Sequence, residues 1–353
     1  MVNRLKIGFI GCGRAAQTVH LPYFADSEKC ELTTLVDERL ELARVLADRH
    51  GIPKVSSDYR DLCDDPEIDG VVMILRESLH APVAIDLLNS GKHVFTEKPL
   101  SDRLHEAGRI ASVAKKTGKI LMVGYMRRYD PGIIKAREII GNFRRTGELG
   151  DISQVRIQTH SGGTGRFAHG ASEPITTGEP KPSAPTGPPD EIPEEIRELS
   201  WTSNFFDTHL GDMLLYILDP VQSVLYAEID RDTKSRIFVY DHGDYRTVHT
   251  GGSFGIGPRD ESFTVYFDLG RVTIWPSSNF LRDVHAEIEV VRGNGVDATI
   301  EQPVIDGEWA FKAQAEHFLE CIIDAQNPLC NGNDGLQEVE RTHAVLRKLS
   351  GID

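Results

Sequence analysis

The run Gly11-Cys12-Gly13-Arg14-Ala15-Ala16 follows one apolar stretch and opens another, so small residues stand where a strand would turn into a helix. Its chemistry is phosphate binding. Gly11 permits a tight turn, Gly13 lets the backbone approach a pyrophosphate, and Ala16 allows close helix–strand packing. The helix start supplies N–H donors and the positive end of a dipole. Asp37 stands 21 residues past Ala16, at the end of the next apolar run. A carboxylate there accepts from both hydroxyls of an adenine ribose and repels a 2′-phosphate, which points to NAD in preference to NADP. Arg39 and Arg44 are close enough to soften that preference and read more simply as solvated helix charges. Cys12 reads as a small packed residue beside the cofactor rather than a reactive thiol.

A second cluster, Thr96-Glu97-Lys98-Pro99, ends a later apolar run. Ligands of doubly wound sheets bind outside the carboxyl ends of the strands. Lys98, with Glu97 beside it, therefore faces the crevice where a nicotinamide ring would lie; the plainer alternative is a surface-loop lysine. Arg127 and Arg128 follow the fifth strand at the domain junction. They are placed to hydrogen-bond hydroxyls or a carboxylate of a substrate, or equally to bridge the domains. The histidines at 160, 169, 242, 249, 285 and 317 lack metal-ligand spacing, so no metal is expected. No Gly-x-Ser-x-Gly and no P-loop lysine supports acyl or phosphoryl transfer.

The elements that must carry these residues alternate over residues 1–125. Nearly continuous apolar runs at Lys6–Ile10, Leu32–Val36, Gly70–Leu75, His93–Thr96 and Ile120–Val123 read as strands buried on both faces. Helical stretches lie between them, with Gly51, Gly91 and Gly118 at their expected ends. This predicts an α/β fold, an N-terminal Rossmann domain with a doubly wound parallel sheet. Residues 126–353 change pattern. A helix opens at Asp130-Pro131, and period-2 runs flank turns at Asp268–Gly270 and Gly293–Gly295. They predict a C-terminal α+β domain with an open, mostly antiparallel sheet, closed by helices within 309–349. Between about 160 and 200 lies an insertion holding seven of the 18 prolines, too broken for regular structure. It is expected to lie over the active site or to reach a neighbouring subunit.

Composition narrows the function classes. Lys plus Arg number 39 against 54 Asp plus Glu, a net charge of −15 that repels nucleic-acid backbones and anionic lipid surfaces. No apolar run approaches the ~20 residues of a membrane span, and the N-terminus has no small-residue cleavage site. Five cysteines without metal-type spacing fit reduced thiols in a cytoplasm.

The chain resembles the glucose–fructose oxidoreductase / inositol dehydrogenase / rhizopine-catabolism (Gfo/Idh/MocA) family. The residues that carry the resemblance are Gly11–Ala16, Val36-Asp37, Glu97-Lys98-Pro99, Val123–Pro131, Gly147–Ile152, and His209 with Asp212. The Met126–Pro131 run is most similar to the inositol dehydrogenase branch. The resemblance implies an NAD-dependent oxidoreductase acting on a secondary hydroxyl of a sugar or cyclitol, as a homodimer or homotetramer. Lys98 matches the family's catalytic lysine, polarising the reacting oxygen. His209, in Asp207-Thr208-His209-Leu210-Gly211-Asp212, matches its general base, a role suited to a group that titrates near neutrality. Asp212, three residues on, is placed to orient the ring.

Two departures stand out. Many inositol-dehydrogenase-like members carry an aspartate four residues before the histidine, where this chain has Phe205; Asp207 is the nearest carboxylate left to serve. From Asp151 to His209 there are 58 residues, well above the family's interval, and the excess is the Pro-rich insertion. Two other readings stay open: transient oxidation by tightly held NAD during glycoside elimination or epimerisation, and a non-catalytic NAD- or sugar-sensing regulator on the same fold.

Overall fold

The computed structural model describes residues 4–161, 173–183, 193, 196, 208–230, 232–233, 235–253, 260–278, 281–282, 284–293 and 295–352. The chain gathers into two compact units. One takes Met1–Tyr125, Ala171–Thr186 and Phe311–Val339; the other takes Met126–Gly170, Gly187–Ala310 and Glu340–Asp353.

The first unit is built on β1 (Leu5–Ile10), a π-helical turn (Ala16–His20) leading into α1 (Leu21–Asp26), β2 (Cys30–Val36) and α2 (Leu40–His50). It continues through β3 (Lys54–Ser56), α3 (Arg60–Asp64), β4 (Gly70–Met73), α4 (His80–Asn89), β5 (His93–Thr96), α5 (Leu104–Thr117) and β6 (Leu121–Val123). All six strands are parallel, in the order β3-β2-β1-β4-β5-β6, the doubly wound arrangement expected of this alternation. Because helices cover both faces, strands such as Gly70–Met73 are buried throughout, which is why they read as unbroken apolar runs. Gly51 and Gly118 close α2 and α5 in the left-handed conformation, as expected of helix-ending glycines.

The second unit holds α6 (Pro131–Thr146), β7 (Ile152–Ser161), α7 (Thr208–Ile217), β8 (Ser223–Ile229), β9 (Arg236–Asp241) and β10 (Arg246–Ser253). It continues with β11 (Asp260–Phe267), β12 (Gly270–Trp275), β13 (Glu287–Arg292) and β14 (Thr299–Glu301). The sheet order is β14-β13-β12-β11-β7-β10-β9-β8, antiparallel except for the central β7–β10 pair. Asp130 caps α6 by accepting from Gly132 N at 2.8 Å. The helices α6 and α7 bury Ile133, Ile140, Leu210, Met213 and Leu214 in one core with the inward residues of the sheet, Phe263 and Val272 among them.

The chain ends in α8 (Ala310–Ile323) and α9 (Gly332–Leu349). Here the structure divides the chain differently from the sequence expectation, which put both helices and the whole insertion in the C-terminal domain. Residues 311–339 and 171–186 group with the first unit. The reason is aromatic packing. Phe318 of α8 sits edge-on to Phe24 and Phe95, with ring centres 6.3 and 5.8 Å apart, completing a core that β5 and α1 alone leave open. Among the described residues no helix is long and apolar enough to cross a membrane.

Candidate active site

The glycine turn begins where β1 runs out. Gly11 takes φ +99°, and a Cβ there would run into the Ile74 carbonyl oxygen, so both conformation and space demand glycine. Gly13 differs: a Cβ added there meets nothing within 4 Å, because the residue faces open space. Ala16 is fully buried against the sheet. Asp37, just past β2, closes the turn from the other side. Its Oδ2 accepts from Cys12 N at 2.7 Å. Its carboxylate also takes Arg39 N and Nε on Oδ1 at 2.9 Å, and Arg39 Nη2 on Oδ2 at 3.0 Å. Arg39 is thus no solvated helix charge but a fork closed on Asp37. Burial, with the Asp37 charge, pushes the Cys12 thiol far up, so it stays protonated and inert, as its sequence context indicates.

The lysine loop follows β5. Glu97 Oε1 accepts from His20 Nε2 at 2.8 Å, and its Oε2 accepts from Lys98 N at 3.1 Å. Burial alone would raise the Glu97 carboxyl, but the His20 hydrogen bond and charge, with Lys98, hold it below the usual carboxylate range. The carboxylate therefore fixes the Lys98 backbone and tethers it to the π-helical turn that begins at the glycine loop. The Lys98–Pro99 peptide is cis, and the Pro99 carbonyl accepts from the buried His80 ring at 2.9 Å. Lys98 itself is half-buried, and among the described residues its ammonium has no hydrogen-bond partner. His20 and His80 were absent from the sequence-based site; a lone histidine at the end of a helical turn carries no signal of a partner 77 residues away.

In the second unit, His209 lies in the first turn of α7, half-buried. Asp212, expected to orient it, is fully buried and bound by Arg128: Nη2 to Oδ1 at 2.7 Å, and Nε to Oδ1 and Oδ2 at 3.0 and 3.1 Å. The Arg128 guanidinium also lies over the Tyr216 ring, 5.1 Å from its centre. Arg127 pairs with Glu261, both buried, and its other amine meets the Met213 sulfur at 3.7 Å. Each arginine expected at the substrate is thus seated on a carboxylate of its own unit, holding α7 and β11 to residues 126–129. Asp207 and Phe205 lie outside the described residues, as does most of the insertion.

A cavity of about 520 Å³ opens at the carboxyl ends of β1, β2 and β4, in the size range of small-molecule sites. Gly11–Ala15, Asp37 and Arg39 line one side, Ile74–Arg76 a second, and residues 174–176 with Lys181 and Pro182 a third. The donor set fits a dinucleotide: backbone amides and the open face of Gly13 for a pyrophosphate, Arg14, Arg76 and Lys181 for its charge, Asp37 for a ribose. A second cavity, about 600 Å³, is lined by α5 and residues 327–336 at the amino end of β6, where this sheet type does not bind its ligand.

The sequence of this region is similar to a known family. Residues 5–125 match the family model described as an oxidoreductase family with an NAD-binding Rossmann fold. These residues are similar to the Gfo/Idh/MocA family. Among its curated relatives, myo-inositol 2-dehydrogenase of Thermotoga maritima is 31% identical over 153 residues, 43% of this chain and 44% of that one. The dTDP-3,4-didehydro-2,6-dideoxy-alpha-D-glucose 3-reductase of Streptomyces violaceoruber is 32% identical over 151 residues, 43% of each chain. The chain thus matches under half the length of these relatives. Solved structures extend the likeness in fold. The aldose-aldose oxidoreductase of Caulobacter crescentus aligns over 99% of this chain and 98% of its own, with TM-score 0.73 and 22% identity. The apo scyllo-inositol dehydrogenase of Lactobacillus casei aligns over 100% and 98%, with TM-score 0.73 and 16% identity. The fold of these structures therefore runs through both units.

Proposed function

We propose that the chain is an NAD-dependent oxidoreductase that transfers a hydride between the carbon of a secondary hydroxyl, on a sugar or cyclitol, and the nicotinamide. The observation that carries this is the joining of Asp37 to the glycine turn through Cys12 N, beside a cavity at the carboxyl ends of the parallel strands. The inositol and deoxysugar substrates in the relatives' names support the substrate class. When bound, NAD supplies the hydride acceptor for oxidation and the donor for reduction.

The chain's own residues do the rest. Gly11–Ala16 receive the pyrophosphate and Asp37 the adenine ribose, with NADP disfavoured by the negative charge. Lys98 Nζ donates a hydrogen bond to the reacting oxygen and stabilises the alkoxide as it develops. The His209 imidazole takes the hydroxyl proton on oxidation and returns it on reduction. Glu97 and His20 hold Lys98 in place, and Arg128 and Asp212 hold the helix that carries His209. Asp207, two residues before His209 in the sequence, remains part of the proposal as a second carboxylate. The site acts in a reducing cytoplasm, in keeping with an odd number of cysteines without metal-type spacing. Exposed Leu225, Tyr226, Ile237 and Trp275 on the eight-stranded sheet support a homodimer or homotetramer.

The test is NADH formation with a panel of free cyclitols, aldoses and simple glycosides. Reduction of NAD by one class supports the proposal and names the substrate. Glycoside cleavage or epimerisation with no net NADH is the outcome of the transient-redox reading, favoured by residues 174–176, Lys181 and Pro182 of the insertion lining the nucleotide cavity.

A further inference from the structure

Part of the Pro-rich insertion lies on the nucleotide-binding unit, and two side chains pin it there. Gln17, in the turn after the glycine loop, grips the Ile175 backbone from both sides: Oε1 accepts from Ile175 N at 2.8 Å, and Nε2 donates to Ile175 O at 3.1 Å and to Cys12 O at 2.9 Å. Four residues on, Glu179 reaches the start of α2. Its Oε1 accepts from Glu41 N at 3.0 Å and its Oε2 from Leu42 N at 2.9 Å, with the Thr177 hydroxyl donating to Oε2 at 3.0 Å. A carboxylate from 138 residues away thus caps the helix that follows Asp37 and Arg39.

The location gives this contact its meaning. In dinucleotide sites of this fold, an acidic residue after β2 reads the ribose hydroxyls, and an arginine nearby accommodates a 2′-phosphate where one is bound. Arg39 is the arginine available. Its fork is closed on Asp37, and the charge of Glu179 also bears on it. Asp37, Arg39 and Glu179 together carry a net charge of −1. The amides at the start of α2, the other natural receptor for a phosphate, are already taken by Glu179. Lys181 lies on the same cavity wall, where its charge suits the pyrophosphate both dinucleotides share.

Given the nicotinamide-dinucleotide reading above, on which this rests, we infer that Glu179 is a specificity-determining residue: the insertion carries it onto α2 to exclude a dinucleotide bearing a 2′-phosphate. Discrimination against NADPH then comes from two parts of the chain, Asp37 in the Rossmann unit and Glu179 in the insertion. Only the first is visible as a motif.

The experiment is calorimetric titration of the full chain with NADH and NADPH, for the natural sequence and for Glu179→Gln and Glu179→Ala, with thermal unfolding of each. Gln removes the charge and keeps one of the two acceptors that serve the α2 amides, whereas Ala keeps neither. The expected result is tighter NADPH binding in both variants, the ratio of the NADPH to the NADH dissociation constant falling about five- to tenfold. NADH affinity should stay close to that of the natural chain, and the unfolding midpoint of Glu179→Gln should lie above that of Glu179→Ala. A ratio unchanged within about twofold, against a natural chain that binds NADH and discriminates, would overturn the role of Glu179 and leave the cofactor reading standing. A natural chain that prefers NADPH also overturns it, whereas one that binds neither dinucleotide removes the cofactor reading itself.

Discussion

His20 and Glu97 meet at 2.8 Å, and through that contact the helical turn after the glycine loop holds the loop that carries Lys98. His20 is buried between the rings of Phe95 and Phe311, each 5.5 Å away, so it can move only if the aromatic core moves. Cofactor turn and lysine loop are thereby one mechanical piece.

Replacing His20 by Phe keeps the ring packing and removes the donor. Stability in urea at pH 7 should fall by about 1–3 kcal/mol, the penalty of a buried acceptor left unmade. The folded Glu97 carboxyl lies below its unfolded value, so the pair stabilises above that unfolded value, about 4.3, and its contribution fades as pH falls through the folded one. The gap between variant and natural chain should therefore narrow below pH 4. A gap independent of pH would show that the ring, not the ion, is what matters.

Asp102, just past the same loop, behaves in the opposite sense. Burial and the nearby Glu77 push its carboxyl up to about 6. For an acid raised on folding, the folded state binds more protons than the unfolded one, so stability falls as pH rises from about 4 to about 6 and stays lower above. Asp102→Asn removes that loss. The variant should be the more stable by about 1–2 kcal/mol at pH 7 and lose its advantage at pH 4, as followed by urea unfolding at both values.

Much of the first unit is legible in the sequence because parallel strands covered on both faces must be apolar throughout, and His93–Thr96 is visible for that reason. β3 escapes: Lys54–Ser56 is a three-residue edge strand with an exposed lysine, and nothing in it alternates. The glycine turn, Asp37 and Lys98 are legible because local sequence and strand position suffice. Arg39 on Asp37, Glu97 on His20, Arg128 on Asp212 and Glu179 on α2 are not, since a charged residue announces no partner. In three of the four the partner lies 77 residues or more away.

Asp37→Ala removes the acceptor of Cys12 N and frees Arg39 together. Relative affinity for NADPH over NADH should rise about tenfold or more, with a stability loss of about 1–3 kcal/mol from the unpaired amide. Calorimetric titration with both dinucleotides, beside urea unfolding, separates the two effects.

The Arg128–Asp212 pair is buried away from bulk solvent, so breaking it from either side strands a charge. Arg128→Met and Asp212→Ala should each destabilise by about 3–5 kcal/mol, and the double variant by less than their sum. A double-mutant cycle in urea reads this directly. Single variants as stable as the natural chain would mean the pair is not what anchors α7.

In the proposed reaction Lys98 acts on the reacting oxygen while the glycine turn and Asp37 hold the cofactor. The most direct test measures turnover and NADH affinity of Lys98→Met with whichever sugar or cyclitol the natural chain oxidises. Turnover should fall by about a thousandfold or more, with the NADH dissociation constant changed less than about threefold. Turnover preserved in Lys98→Met, or lost together with NADH binding, would contradict it.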